Sequence, residues 1–195
     1  ITGAGRGIGK GIAEVLAEAG ADIALNALTP KYVEGVGADL AKSSGRRVGP
    51  INADVTTTDG AQRAVDQVFK TFGRIDVLVN ALGDSIRKPL VALPGTDSKG
   101  LSDEELKFIM DINLTEALLC TRAVGPHMLE RRSGKVINIS SFTAHADGHD
   151  LVVYTAAKAG LVGFTRAAPA GPAPWRLISA RSLPPGREST SEKMK

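Results

Sequence analysis

The chain has 195 residues, of which 43% are hydrophobic and 23% charged, and its formal net charge at pH 7 is +3. A chain of this length is expected to fold as one domain with a buried core. Its Lys and Arg residues are scattered among acids and form no stripe, which does not indicate binding to nucleic acid or to an anionic membrane surface.

Other classes are excluded on similar grounds. No apolar run approaches the ~18 residues that a membrane span requires. The single cysteine, Cys120, cannot form an internal disulfide, so we expect a reducing, cytoplasmic location. The three histidines have no metal-ligand spacing, so no metal site is expected.

The first half of the chain alternates between helical and strand patterns. A glycine-rich turn, TGAGRGIG (residues 2–9), opens a helix that is predicted to end at Gly20. A strand is predicted over 21–27 and a helix over 31–44. A second strand is predicted to end near Asp54, and the next helix has Phe69 and Phe72 on its inner face.

The second half continues this alternation. The near-continuous apolar run 75–83 predicts a strand buried on both faces. A long helix is predicted over 101–131 and begins with a capping box, Ser102 with Glu105. A strand over 134–141 and a helix from 154 follow, and prolines at 169, 172 and 174 are expected to end that helix near Ala168.

Strands that alternate with long helices predict an α/β fold, doubly wound in the Rossmann manner, with a parallel sheet between two helical layers. We expect one domain over residues 1–195. Only Ile1 precedes the glycine turn, where a strand is expected, so the fold is expected to be truncated at both ends. The segment 168–195 is expected to be divergent and irregular, through either real divergence or a frame error.

Gly3, Gly7 and Gly9 follow the spacing G-x-x-x-G-x-G. In doubly wound folds the first turn of this kind faces a dinucleotide pyrophosphate, because glycines let the backbone approach the phosphates and the helix N-terminus offers free N–H groups. The spacing alone leaves an ordinary tight turn equally open.

Several further motifs occur in consistent order from residue 2 to about 167: "ADV" at 53–55, "VNALG" at 79–83, the helix containing Asn113, "VINISS" at 136–141 and "YTAAK" at 154–158. With the glycine turn, they resemble the short-chain dehydrogenase/reductase family, the branch with TGxxxGxG and YxxxK. The resemblance implies cofactor contacts at Gly3, Arg6, Gly7, Ile8, Gly9, Asp54, Val55, Asn80, Gly83, Tyr154 and Lys158.

The resemblance also implies a catalytic set. A phenol titrates near ~10, and an ammonium four residues along a helix lies on the same face and stabilises the phenolate. Tyr154 would be the general acid/base and Lys158 would lower its pKa and bind the nicotinamide ribose. Ser141 would hold the substrate oxygen, and Asn113 would keep a water on the proton path to Lys158.

The resemblance implies a nicotinamide cofactor, and the end of the strand predicted over 21–27, which corresponds to the family's second strand, indicates which one. Relatives that use NAD usually carry an acid there for the ribose 2′-OH, whereas this chain has Ala27. Arg6, Thr29 and Lys31 could favour a 2′-phosphate. We therefore expect NADP to be preferred over NAD.

These residues predict an NAD(P)-dependent oxidoreductase that interconverts a secondary alcohol and a ketone, both small molecules. The alternative is a truncated or altered scaffold that binds a dinucleotide without turnover, as a binding or regulatory protein. His145 and Asp147 could line a substrate pocket. The family resemblance implies a homodimer or homotetramer, with Leu114, Ala117 and Leu118 as a candidate interface stripe.

Overall fold

A computed structural model describes residues 1–92, 94–97, 99–145, 150–168 and the backbone of 176–182. The helices are α1 (Gly7–Glu18), α2 (Glu34–Ser44), α3 (Thr58–Phe72), α4 (Asp103–Met110), α5 (Glu116–Glu130) and α6 (Val152–Ala167). The strands are β1 (Ile23–Ala27), β2 (Val48–Asn52), β3 (Val77–Asn80), β4 (Lys135–Ser141) and β5 (Arg176–Ser182). None of the described helices is both long and apolar enough to cross a membrane.

Every strand pair among the described residues is parallel. β1 pairs with β2, and β4 pairs with β3 on one side and with β5 on the other. Alternate residues of β1 face opposite helical layers, because Ile23 and Leu25 pack with α1 and α2, whereas Ala24 packs with α3 and α5. The predicted doubly wound α/β fold, with helices on both faces of parallel strands, is confirmed.

The segment Ile1–Ala4 joins the two sheets. Thr2 N–H donates to the Val79 carbonyl of β3, and Asn26 N–H of β1 donates to the Ile1 carbonyl, each over 2.9 Å. Beside this junction lies a cavity of about 540 Å³, lined by residues of β1 and β3. Val77 borders the cavity and is 40% exposed, so the prediction that its strand is buried on both faces is wrong at that end.

Local signals located the ends of several helices. The capping box predicted at Ser102 and Glu105 is present at the start of α4. α6 ends at Ala167 with Ala168 as its C-cap, as the proline cluster predicted. The predicted helix 31–44 is shorter, because Pro30–Tyr32 forms a separate 3₁₀ turn before α2.

Two features differ from the sequence-based expectations. The long helix predicted over 101–131 contains a π-helical turn at Asp111–Thr115 between α4 and α5. The expectation that 168–195 is irregular is wrong for Arg176–Ser182, which forms β5 and pairs with β4 along its whole length. A parallel ladder to a distant strand supplies backbone partners that the local sequence does not reveal.

Candidate active site

The glycine turn is held close to the loop after β3. A side chain at Gly3 would place its Cβ 2.8 Å from the Leu82 Cα, and a Cβ at Gly9 would lie 2.5 Å from the Gly3 carbonyl oxygen. Gly3 and Gly7 have positive φ of 61° and 56°, which L side chains rarely adopt. Gly3 and Gly9 are thus required by packing within the protein.

Gly7 has a different environment. Apart from its chain neighbours and the backbone of its own helix, no atom of the described chain lies within 4 Å of the position of its missing Cβ. Arg6 is the N-cap of α1, and its side chain makes no capping hydrogen bond to the first N–H groups of the helix. An open, glycine-lined helix N-terminus suits a phosphate group, so the turn fits a dinucleotide pyrophosphate.

A cleft of about 270 Å³ lies next to this turn. It is lined by Ile8 at the start of α1, the segment 81–85 after β3, Ile139 and Ser140 at the end of β4, and Tyr154 and Lys158 on α6. Because strand ends and the first turn of α1 meet there, the cleft lies at the carboxyl edge of the parallel strands, where doubly wound folds bind ligands.

Lys158 is almost wholly buried in this cleft, with 4% of its surface exposed. Its Nζ donates a hydrogen bond to the Ile139 carbonyl (3.1 Å) and lies 5.8 Å from the centroid of the Tyr154 ring. Burial lowers the pKa of Lys158 to about 8, and the charge of Glu116 opposes that decrease. The Lys158 amine is thus a weaker base than an ordinary lysine, and it lies beside the Tyr154 phenol.

Asn113 lies in the π-helical turn, and its side chain is fixed by two hydrogen bonds. Its Nδ2 donates to the carbonyls of Asp84 (2.7 Å) and Ile109 (2.9 Å), while its buried Oδ1 has no hydrogen-bond partner in the described chain. A Cβ on Gly83 would lie 2.8 Å from this Oδ1 and 3.2 Å from Lys158 Nζ. A side chain at residue 83 would therefore crowd both atoms, and Gly83 leaves a polar space open beside Asn113 and Lys158.

Ser140 and Ser141 are both buried at the end of β4. Ser140 Oγ donates to the Lys158 carbonyl (3.0 Å), and this residue lines the cleft. Ser141 Oγ accepts hydrogen bonds from the N–H (3.3 Å) and the hydroxyl (3.0 Å) of Thr143, and Ser141 is not among the residues that line the cleft. The substrate-binding role of Ser141 stays a prediction.

Three expected cofactor residues behave differently from one another. Asp54 Oδ1 accepts from the N–H (3.0 Å) and the hydroxyl (2.6 Å) of Thr56, which fixes the carboxylate at the turn after β2. The Val55 side chain packs in the core, and only its backbone could face a cofactor. The Asn80 side chain is 1% exposed and donates to Asn138 Oδ1 (2.7 Å), so it links β3 to β4. The side chain is thus engaged within the protein, and the cofactor contact expected at Asn80 stays a prediction.

The end of the strand predicted over 21–27 lies where the sequence indicated, since β1 ends at Ala27. A Cβ on Gly5 would lie 2.6 Å from the Tyr32 Cβ, so the glycine turn directly adjoins the segment after β1. Arg6 and Lys31, on the two sides of this contact, are exposed. His145 is described at the end of a 3₁₀ turn after β4, and Asp147 lies outside the described residues.

One charged residue of the site was missed by the sequence analysis. Glu116 begins α5 and is 1% exposed. Burial raises the pKa of its carboxyl group to about 8, and attraction to Lys158 and a hydrogen bond from the Thr2 hydroxyl oppose that increase. The available signal was an acid within the otherwise uncharged segment 112–121, which the helical pattern alone placed on no particular face.

Comparison with known proteins agrees with this geometry. The family model for short chain dehydrogenases matches residues 1–195. A 3-oxoacyl-[acyl-carrier-protein] reductase of Synechocystis is 35% identical over 85% of the chain and 64% of the relative, so the chain spans slightly less than two thirds of that protein. The short-chain reductase NovJ of Streptomyces niveus is 34% identical over 97% of the chain and 68% of the relative.

A solved structure shows the same likeness. A metagenomic short-chain oxidoreductase in complex with NADP superposes with a TM-score of 0.84 at 29% identity, over 93% of this chain and 79% of that one.

Proposed function

Because the chain belongs to the short-chain dehydrogenase/reductase family, we propose that it is an NAD(P)-dependent oxidoreductase that interconverts a secondary alcohol and a ketone. The observation that carries the proposal is the shared cleft. Tyr154 and Lys158 line the same cleft as Ile8 and Gly83, which adjoin the glycine turn and the Asn113 side chain. A nicotinamide cofactor bound at the turn would supply or accept the hydride.

Tyr154 moves the proton at the substrate oxygen. In the reductive direction its phenol donates a proton to the carbonyl oxygen, and in the oxidative direction its phenolate accepts the proton of the alcohol. The Lys158 Nζ lies 5.8 Å from the centroid of the Tyr154 ring and places a positive charge beside the phenol. Asn113 Oδ1 and Lys158 Nζ border the polar space beside Gly83, through which a water could return the proton.

The turn and its surroundings would hold the cofactor. Gly7 and the N-terminus of α1 suit the pyrophosphate, and the proposed adenine contact is Asp54, whose carboxylate accepts a hydrogen bond from Thr56. Ala27 leaves no acid at the end of β1, and the exposed Arg6 and Lys31 add positive charge nearby. This supports a preference for NADPH over NADH, in keeping with the NADP complex of the metagenomic structure.

Small alcohols and ketones are the proposed substrates. The Synechocystis relative is a 3-oxoacyl-[acyl-carrier-protein] reductase, which adds 3-oxoacyl thioesters to the candidate substrates. We also propose self-association through α5 and α6. Leu118 is 39% exposed and supports it, whereas Ala117 is wholly buried and belongs to the core. Leu114 packs on α6 near Gly160.

Fluorescence titration with NADPH and NADH, followed by rate assays on ketones, secondary alcohols and 3-oxoacyl thioesters, tests the proposal. Saturable binding with turnover of one of these classes supports the oxidoreductase. Saturable binding without turnover supports the alternative, a dinucleotide-binding protein. Absence of binding to either cofactor would contradict both.

A further inference from the structure

We propose that Asn52 is a positioning residue for cofactor selectivity, because its side-chain amide holds the segment after β1 at which the 2′-phosphate of NADP is proposed to bind. The inference rests on the proposed function, since the position of the phosphate is part of that proposal. Its physical content is an amide that fixes the end of β1 against the end of β2, and this can be measured in the protein without cofactor.

The Asn52 side chain joins two strand ends. Asn52 is the last residue of β2 and pairs in register with Ala27, the last residue of β1. Its Nδ2 donates to the Leu28 carbonyl (2.8 Å) and, over a longer distance, to the Ala27 carbonyl (3.3 Å). Both partners are carbonyl oxygens, which can only accept, so the NH₂ end of the carboxamide must face them. Leu28 lies beyond the paired residues of β1, so Asn52 extends the hydrogen bonding past the strand ladder.

A second asparagine makes the reciprocal connection from β1. The Nδ2 of Asn26 donates to the carbonyls of Ile51 and Ala53, each over 3.1 Å. Asn26 is 6% exposed, whereas Asn52 is exposed, and their places in the register put them on opposite faces of the strand pair. Removal of the Asn52 amide therefore leaves its carbonyl partners open to water, so this residue can be replaced with little risk to folding.

The segment that follows β1 is held again at its far end, where it meets the glycine turn. Pro30–Tyr32 forms a 3₁₀ turn, and a Cβ on Gly5 would lie 2.6 Å from the Tyr32 Cβ. The Nζ of Lys31 lies 5.1 Å from the centroid of the Tyr32 ring. The segment is thus fixed at its start by Asn52 and at its end by the glycine turn, and it carries a cation between these two points.

This arrangement should matter for the 2′-phosphate and not for the rest of the nucleotide. The pyrophosphate is proposed to bind at Gly7 and the start of α1, which do not depend on Asn52. The 2′-phosphate is proposed to bind beside Ala27, with Lys31 nearby. If the start of the segment is released, the phosphate must order it on binding, and that cost lowers the affinity.

The binding test compares two nucleotides that differ only in the 2′-phosphate, 2′,5′-ADP and 5′-AMP, by calorimetry. We expect Asn52→Ala to weaken 2′,5′-ADP about threefold to tenfold, the worth of one net hydrogen bond, and 5′-AMP less than about twofold. Gln62→Ala is the matched control, since it removes an exposed carboxamide that donates to Asp66 (2.9 Å) on α3. Both affinities should be unchanged in this control.

Equal losses for the two nucleotides in Asn52→Ala would indicate general damage and would overturn the selectivity role, as would unchanged affinity for both. If the parent binds neither nucleotide, the proposed function is contradicted, and the selectivity role fails with it. A parent that binds both nucleotides, with their affinity ratio unmoved in Asn52→Ala, contradicts the selectivity role alone.

A measurement without nucleotide tests the contact itself. Asn52→Asp keeps the size of the side chain but presents only oxygens when ionised, so it cannot donate to the two carbonyls. We expect the ¹⁵N order parameters of Leu28 and Thr29 to fall from about 0.85, typical of rigid backbone, toward about 0.6. They should be unchanged in Gln62→Ala. Order parameters that are equal in the parent and Asn52→Asp would overturn the proposal whether or not nucleotide binds.

Discussion

Lys158 lies one helical turn after Tyr154 on α6, and its Nζ is 5.8 Å from the centroid of the Tyr154 ring. The ammonium is fixed there by the Ile139 carbonyl and is almost wholly buried, so it cannot turn away into solvent. The phenol therefore has a persistent positive neighbour, which is the physical basis of the proposed proton transfer.

Tyr154→Phe removes the hydroxyl that carries the proton and leaves the ring in place. We expect turnover to fall about a hundredfold or more, because general acid/base catalysis is worth ~10²–10⁴-fold. NADPH affinity should change little, which fluorescence titration of the same sample measures. A variant that keeps more than about a tenth of the parent rate would refute the acid/base role.

Gly83→Ala fills the polar space between Asn113 Oδ1 and Lys158 Nζ, because the new Cβ would lie 2.8 and 3.2 Å from these atoms. We expect the rate to fall at least about tenfold through displacement of the catalytic groups. Gly11→Ala is the matched control, since its Cβ would meet nothing within 4 Å and it lies inside α1. Equal rates in the two variants would show that this space has no part in the reaction.

Ala27→Asp places a carboxylate at the end of β1, where a 2′-phosphate of NADP is proposed to lie. We expect NADPH affinity to fall about tenfold or more through charge repulsion, while NADH affinity is kept or improved. Ala27→Asn, which has nearly the same shape without the charge, should retain most of the NADPH affinity. Titrations with both cofactors provide the comparison, and identical ratios in the two variants would contradict this position for the phosphate.

Ser102→Ala removes the side-chain acceptor for Glu105 N–H at the start of α4. The free energy of unfolding should decrease by about 1 kcal/mol, the usual worth of an N-cap. Ser102→Asp restores an acceptor and should recover most of that loss. Urea unfolding of the three proteins gives the values, and an unchanged value for Ser102→Ala would mean that α4 does not depend on its cap.

Glu116 should make the free energy of unfolding depend on pH. Its pKa is raised from 4.5 to about 8 by burial, so between these values the folded protein holds a proton that the unfolded chain has lost. The contribution of Glu116 to the free energy of unfolding is fully present at low pH. It is lost as the pH rises toward 8, by at most about 1.4 kcal/mol per pH unit. Glu116→Gln has no such proton. The stability of the parent relative to this variant should therefore decline between pH 5 and 8, which urea unfolding at each pH measures.

The sequence predicted those parts of the structure that depend on local chemistry. The Ser102 capping box and the end of α6 follow from neighbouring residues, and the α/β class follows from periodicity along the whole chain. β5 was missed because Arg176–Ser182 becomes a strand through pairing with β4, some forty residues earlier. A pattern of nearby side chains contains no information on that partner.

In the candidate site, too, features that depend on neighbouring residues were predicted, and features that depend on distant elements were not. The resemblance to the family identified Tyr154 and Lys158, and their four-residue spacing predicted that both lie on one face of a helix. It could not show that the Asn80 side chain faces Asn138, or that Glu116 faces the interior. Both orientations are set by elements that meet only after folding, and in Glu116 the π-helical turn also changes which face of the helix is buried.

The four residues Ile1–Ala4 hydrogen-bond to β1 on one side and to β3 on the other, and they run directly into the glycine turn. A ligand bound at this turn would therefore also stabilise the contact between the sheet that contains β1 and the sheet that contains β3. Its binding energy would oppose any separation of the sheets, so saturation with cofactor should slow amide exchange along β1 and β3, at backbone sites that the ligand never touches. Cofactor binding at the turn and the stability of the contact between the two sheets would then be thermodynamically linked.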